Sequence, residues 1–115
     1  MPGPIQGVKV LELAQIMAGP TCGLMLADLG AEVIKIEPIE GEPWRLHTEF
    51  LPKESKTFIT LNRGKKSLPL DLQSQEGLEI ARGELLDAAI VDVMMPGQGG
   101  MATLDALQKL DRELP

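Results

Sequence analysis

The chain has 115 residues, 43% hydrophobic and 24% charged, with 17 acidic against 11 basic side chains and a formal net charge of −6. This is the composition of one globular domain, not of a disordered or fibrous chain, and its acidity argues against a nucleic acid partner. Aromatic residues make up only 3%, namely Trp44, Phe50 and Phe58, so platforms for base stacking are scarce.

Cys22 is the single cysteine, which excludes an internal disulfide, and no apolar run approaches the ~20 residues of a membrane span. Met1 to Gly7 has no cationic stretch leading into an apolar one. A cytoplasmic protein without a membrane partner is expected.

Val8 to Leu13 reads as a short strand, followed by a helix over Pro20 to Leu29 that Gly30 stops. Pro20 suits a first helical turn, where its missing N–H has no intrahelical partner. Glu32 to Glu37 alternates as a second strand. From Pro38 to Lys66 periodicity gives way to Pro, Gly and charge, with a short strand expected at Thr57 to Leu61. Ser67 to Leu72 reads as extended, and Ser74 opens a helix reaching about Leu85. Ala88 to Met94 is a buried-strand pattern, Pro96 to Gly100 a loop, and Ala102 to Leu110 a helix with Leu104, Leu107 and Leu110 on one side.

Strands alternating with helices predict an α/β fold, a mainly parallel Rossmann-like sheet layered with helices, in one domain over 1–115. A helix ending near Asp111 normally leads to another strand, so the chain reads as incomplete.

Ligands of such sheets bind at the carboxyl ends of the strands, where a helix N-terminus offers N–H groups to an anion. Gln15, Ile16, Met17 and Ala18, before Gly19 and Pro20, occupy that place after the first strand. A plain turn would also explain them. Glu37 sits where a dinucleotide fold places a ribose-binding acid, although a solvated strand-end carboxylate is the commoner origin of such a residue. Asn62, Arg63, Lys65 and Lys66 group three cations around Gly64, which suits a phosphorylated ligand, the alternative being surface charge beside a strand. His47 has no second His or Cys at ligand spacing, so no metal site is expected, and Cys22 reads as a small core residue.

The segments GVKVLELAQIMAGPTCGLMLADLGAEVIKIEP, GEPWR and NRGKKSLPLDLQSQEG together resemble the opening of class III CoA-transferases, a group that includes formyl-CoA and carnitine CoA-transferases and α-methylacyl-CoA racemase. The resemblance covers Ile5 to about Arg82. It implies a nucleotide-binding layer of an enzyme that moves coenzyme A between carboxylic acids, commonly as interlocked dimers. Coenzyme A or acyl-CoA is the implied ligand, with Gln15 to Ala18 bordering the adenosine and Leu70 and Gln73 near the CoA chain. The nucleophilic Asp of such enzymes has no counterpart in these 115 residues, so a binding fragment inactive alone is expected.

Residues 83–115 resemble instead a segment of response-regulator receiver domains, through Asp92, Met95, Pro96 and Gly100. That resemblance makes Asp92 an alternative phosphoacceptor and the chain a chimera of 1–82 with 83–115. A working receiver needs an acidic pair after its first strand to hold Mg²⁺, and Glu12-Leu13-Ala14-Gln15 offers one carboxylate. A folded scaffold without a ligand is the remaining reading.

Overall fold

The computed structural model describes residues 2–47, 49–52, 54–84 and 87–91, together with Ala102, Asp105, Ala106 and Lys109. Strand β1 (Lys9–Leu13) leads through helix α1 (Ala18–Asp28) to β2 (Glu32–Glu37). A 3₁₀ turn (Pro43–Arg45), a ribbon of β3 (Glu49–Leu51) and β4 (Glu54–Ser55), and helix α2 (Lys56–Asn62) follow. Strand β5 (Lys66–Pro69), helix α3 (Gln75–Glu84) and β6 (Ala88–Val91) complete the described elements.

The main sheet has the order β5-β2-β1-β6 and every pairing in it is parallel. Strands are added outward from β1 to β5 before the chain returns to the other side of β1, which creates a topological switch beside β1. Residues two apart share a face of a strand. Leu11 and Leu13 of β1 therefore join Ile34 and Ile36 of β2 in one buried cluster, closed by Leu78 and Ala81 of α3. Val10 and Val33 face the other way, with Ala31, under Leu26 and Ala27 of α1.

On that α1 face the next positions carry charge. Glu12 and Lys35 are direct cross-strand partners, and both are buried, at 0% and 1% exposure. Lys35 Nζ lies 3.0 Å from Glu12 Oε2 and 2.6 Å from Glu42 Oε2, and donates to Ala14 O at 2.9 Å. Lys65 reaches the other Glu12 oxygen at 2.8 Å and also donates to Pro20 O and Asn62 Oδ1. Lys65 thus has an acceptor for each of its three N–H groups, whereas Lys35 has two hydrogen-bond acceptors and an ion-pair contact with Glu42. Burial lowers the Lys65 ammonium from its ordinary value, against the opposing pull of Glu12. Room for the carboxylate comes from Gly23 of α1, where a Cβ would collide with Glu12 Oε1.

The β2 pattern is buried on both faces instead of alternating between core and solvent, because α1 covers the face that Lys35 occupies. Thr57 to Leu61, expected as a strand, is the body of α2. Its β-branched residues are overruled by local bonds: Ser55 caps the Phe58 N–H at 3.2 Å, and the Thr60 hydroxyl donates to Lys56 O at 2.7 Å. Ser74 likewise caps α3 through the Gly77 N–H at 2.9 Å. Strand β5 ends at Pro69, short of the expected Leu72. Strand β6 is only partly buried, since no further strand flanks it among the described residues. Cys22 is exposed on α1 and not in the core, because Gly23 takes the position facing Glu12. Ala102, Asp105, Ala106 and Lys109 are helical, and Ala106 packs on the α3-side cluster. Leu104, Leu107 and Leu110 fall outside the described residues, as do Asp92, Met95, Pro96, Gly97 and Gly100.

Replacing Glu12 by Gln leaves two buried lysines with Glu42 as the one carboxylate of the cluster, and a loss of about 3–5 kcal/mol is expected in urea unfolding. Gly23→Ala should destabilise by about 2 kcal/mol, since displacing the Glu12 carboxylate outweighs the ~1 kcal/mol gain in helix propensity.

Candidate functional site

The carboxyl ends of β1, β2 and β5 open into a cavity of about 400 Å³. Its walls are Leu13 and Gln15 from the end of β1, Ile36 to Glu40 from the end of β2, and Leu70 to Gln73 after β5. The volume lies within the roughly 300–1,000 Å³ of small-molecule sites, and the cavity opens at the carboxyl ends of the strands, the side on which open parallel sheets bind ligands, toward β2 and β5 and not at the β1–β6 switch. The turn after β5 is fixed by Asp71, whose Oδ1 accepts the Gln73 N–H at 2.9 Å and whose carbonyl accepts the Ser74 hydroxyl at 2.8 Å. Leu70 N donates to Glu37 O at 2.9 Å, which ties that turn to the end of β2.

Glu37 is 2% exposed and is not the solvated strand-end carboxylate that its position suggested. Arg45 donates to it twice, from Nε at 2.8 Å and Nη2 at 2.6 Å. The Glu42 N–H at 2.9 Å and the Ser67 hydroxyl at 2.7 Å complete its shell. Burial alone would raise this carboxyl, but the hydrogen bonds from Arg45, Glu42 and Ser67 outweigh it and hold the group at about 2, against an ordinary 4.5. Arg45 in turn stacks over the Phe58 ring at 4.0 Å, so α2 and the end of β2 are joined through one side chain.

Gln15 to Ala18 form the turn between β1 and α1. Ile16 has φ 72°, the left-handed region, and a β-branched residue there carries strain of order 1–3 kcal/mol. Its N–H donates to Glu42 Oε1 at 3.2 Å. Met17 lies on the other side of this turn, in a second cavity of about 390 Å³ shared with Thr21, Trp44, Lys56, Thr57, Thr60 and Leu61. Trp44 stacks on His47, with ring centroids 5.0 Å apart.

The structure therefore brings Gln15, Leu70 and Gln73 into one cavity, whereas Ile16, Met17 and Ala18 do not line it and Met17 lines the second cavity instead. It places Asn62 to Lys66 elsewhere. The Lys65 ammonium is held inside by Glu12, Pro20 and Asn62. Arg63 pairs with Asp28 at 2.8 Å, and Lys66 lies 3.4 Å from Glu32, at the amino end of β2 and away from the cavity. Glu42 and Arg45 were not singled out from the sequence, and nothing in the spacing of GEPWR marks Glu42 as buried or Arg45 as the partner of Glu37. No group of three or more His, Cys, Asp or Glu suited to a metal ion occurs among the described residues. No helix among them is long and apolar enough to cross a membrane.

The ionised Glu37 stabilises the fold fully above about pH 4.5, and that contribution is lost as pH falls toward 2, because the unfolded chain binds the extra proton in this window. It amounts to about 3 kcal/mol at neutral pH. Arg45→Ala should remove most of it and flatten the rise of the urea midpoint across that window.

The sequence profile of CoA-transferase family III matches residues 5–107, which carries the family pattern past Arg82 and through most of the stretch with the receiver-like motif. Human succinyl-CoA:glutarate CoA-transferase is 40% identical over 94 residues, covering 80% of this chain and 21% of that enzyme. The (R)-2-hydroxy-4-methylpentanoate CoA-transferase of Clostridioides difficile is 42% identical over 91 residues, covering 75% of this chain and 23% of the enzyme. The orthorhombic crystal structure of Rv3272 from Mycobacterium tuberculosis superposes with a TM-score of 0.75 at 35% identity, covering 94% of this chain and 32% of that one. The chain thus spans between about a fifth and a third of the length of these proteins. With the parallel sheet, the cavity at its strand ends and a family match over most of its length, the chain belongs to CoA-transferase family III.

Proposed function

We propose that this chain binds coenzyme A in the cavity at the ends of β1, β2 and β5, as the nucleotide-binding layer of an enzyme that moves coenzyme A between carboxylic acids. The observation that carries this reading is the meeting of Gln15, Leu70 and Gln73 in one cavity at the strand ends. Leu13, Ile36 and Leu70 offer apolar walls to an adenine ring. Glu40 and Asp71 offer acceptors to ribose hydroxyls or an exocyclic amine, and Gln15 and Gln73 offer amides that both donate and accept.

Glu37 is not the reacting carboxylate in this reading. Each of its oxygens already accepts two hydrogen bonds and its charge is balanced by Arg45, so it frames the cavity and does not attack a thioester. The 115-residue polypeptide binds the ligand without exchanging acyl groups. Lys65 and its neighbours are architectural here, since the ammonium that would meet a phosphate neutralises Glu12.

Titration calorimetry with coenzyme A tests the proposal. The parent chain should bind, and a Gln15→Ala/Gln73→Ala double variant should lose about tenfold or more in affinity, roughly 1.4 kcal/mol. Glu79→Ala, on the exposed face of α3, should leave the affinity unchanged. No heat with the parent, or equal affinity in the double variant, overturns the assignment, and acyl exchange by the isolated chain overturns its inactivity.

A further inference from the structure

We infer that Glu42 is a positioning residue for this site: its carboxylate, delivered by the segment between β2 and α2, holds Ile16 in the left-handed conformation on which the Gln15–Ala18 turn depends. The role in ligand binding rests on the coenzyme A reading, whereas the role in the geometry does not.

Ile16 is the one non-glycine residue with positive φ among the described residues, and the residue is 46% exposed, so core packing does not impose its backbone angle. The hydrogen bond to Glu42 Oε1 supplies the missing restraint. On the other side of Gln15, two residues before Ile16, the Ala14 carbonyl accepts from Lys35 at 2.9 Å. Gln15 is therefore gripped on both sides, at Ala14 O by an ammonium and at Ile16 N–H by a carboxylate. The two grips are themselves paired, with Lys35 Nζ 2.6 Å from Glu42 Oε2.

Glu42 is in turn held from behind. Its N–H donates to Glu37 at 2.9 Å, its carbonyl accepts the Arg45 N–H at 3.1 Å, and Gly41 before it takes φ 92° to make the approach. A carboxylate present only to balance Lys35 would need no contact with Ile16, and Glu42 uses a different oxygen for each, Oε2 toward Lys35 and Oε1 toward the Ile16 N–H. Its reach to a strained residue beside Gln15 is what separates a positioning role from simple charge balance.

The test compares Glu42→Ala, Glu42→Gln and Glu42→Ala/Ile16→Gly with the parent by coenzyme A calorimetry, urea unfolding and amide hydrogen exchange at residue 16. Glycine adopts positive φ without strain. Glu42→Ala should weaken coenzyme A binding about tenfold and remove protection of the Ile16 amide. Adding Ile16→Gly should restore most of the affinity without restoring the urea midpoint, a split that a merely structural role would not give. If Glu42→Ala does not fold, Glu42→Gln decides, because its amide oxygen still accepts from Ile16: near-parent affinity with a lowered midpoint supports the inference. Unchanged affinity in Glu42→Ala, failure of Ile16→Gly to rescue a folded variant, or lost affinity in folded Glu42→Gln overturns it. Should the parent not bind coenzyme A, the ligand reading fails, and the Ile16 amide alone decides: lost protection in Glu42→Ala, or in Glu42→Gln a protected amide with a lowered midpoint, upholds the geometric role, and the opposite result ends it.

Discussion

The Glu12 carboxylate, shared between Lys35 and Lys65 inside the α1 face of the sheet, is the interaction around which the rest is arranged. Removing such charges from water costs several kcal/mol for each ion, and the cost is offset only when every donor and acceptor is matched. That requirement reaches outward. It sets Gly23 opposite Glu12, draws Pro20 O and Ala14 O into the shell, and brings Lys65 across from the loop before β5. The helix, the turn before it and the strand beyond it are thereby positioned by one set of hydrogen bonds.

A second carboxylate, Glu37, organises the neighbouring segment in the same manner. Its donors come from the 3₁₀ turn and from β5, so the irregular stretch after β2 is fastened to the sheet at its base. Arg45 extends the fastening to Phe58 in α2. Glu42 joins the two centres, with its N–H on Glu37 and its carboxylate on Lys35. The cavity at the strand ends consequently has walls whose shape is set by buried electrostatics as well as by apolar packing.

Much of the architecture was legible in the sequence. Val10, Leu11, Leu13, Val33, Ile34 and Ile36 announce two inner strands, Pro20 and Gly30 bracket a helix, and Ser74 marks the start of another. The parallel pairing followed from their alternation, and Leu70 and Gln73 entered through the family resemblance alone. Charge was the illegible part. Glu12, Lys35 and Lys65 have the spacing of solvated residues, and only the coverage of both sheet faces shows that they are inside. Propensity misled at Thr57 to Leu61 for a related reason, since side-chain bonds to the backbone and packing against α1 and the 3₁₀ turn outweigh β-branching there. The family resemblance carried the choice of ligand, which composition and periodicity did not reach.

The long reach of Lys65 has a bearing on how the chain assembles. Its partner Glu12 lies 53 residues away, Lys35 lies 23 from the same carboxylate, and Glu42 lies 26 from Ile16. None of these groups gives up its hydration favourably until the others have arrived, so the set is expected to close late, once the apolar strands have met. Contacts formed after the rate-limiting barrier slow escape from the native state and leave entry to it nearly untouched. The buried charges are thus better regarded as a latch on the finished sheet than as a guide to its formation, and the persistence of the fold is a matter of lifetime as much as of equilibrium.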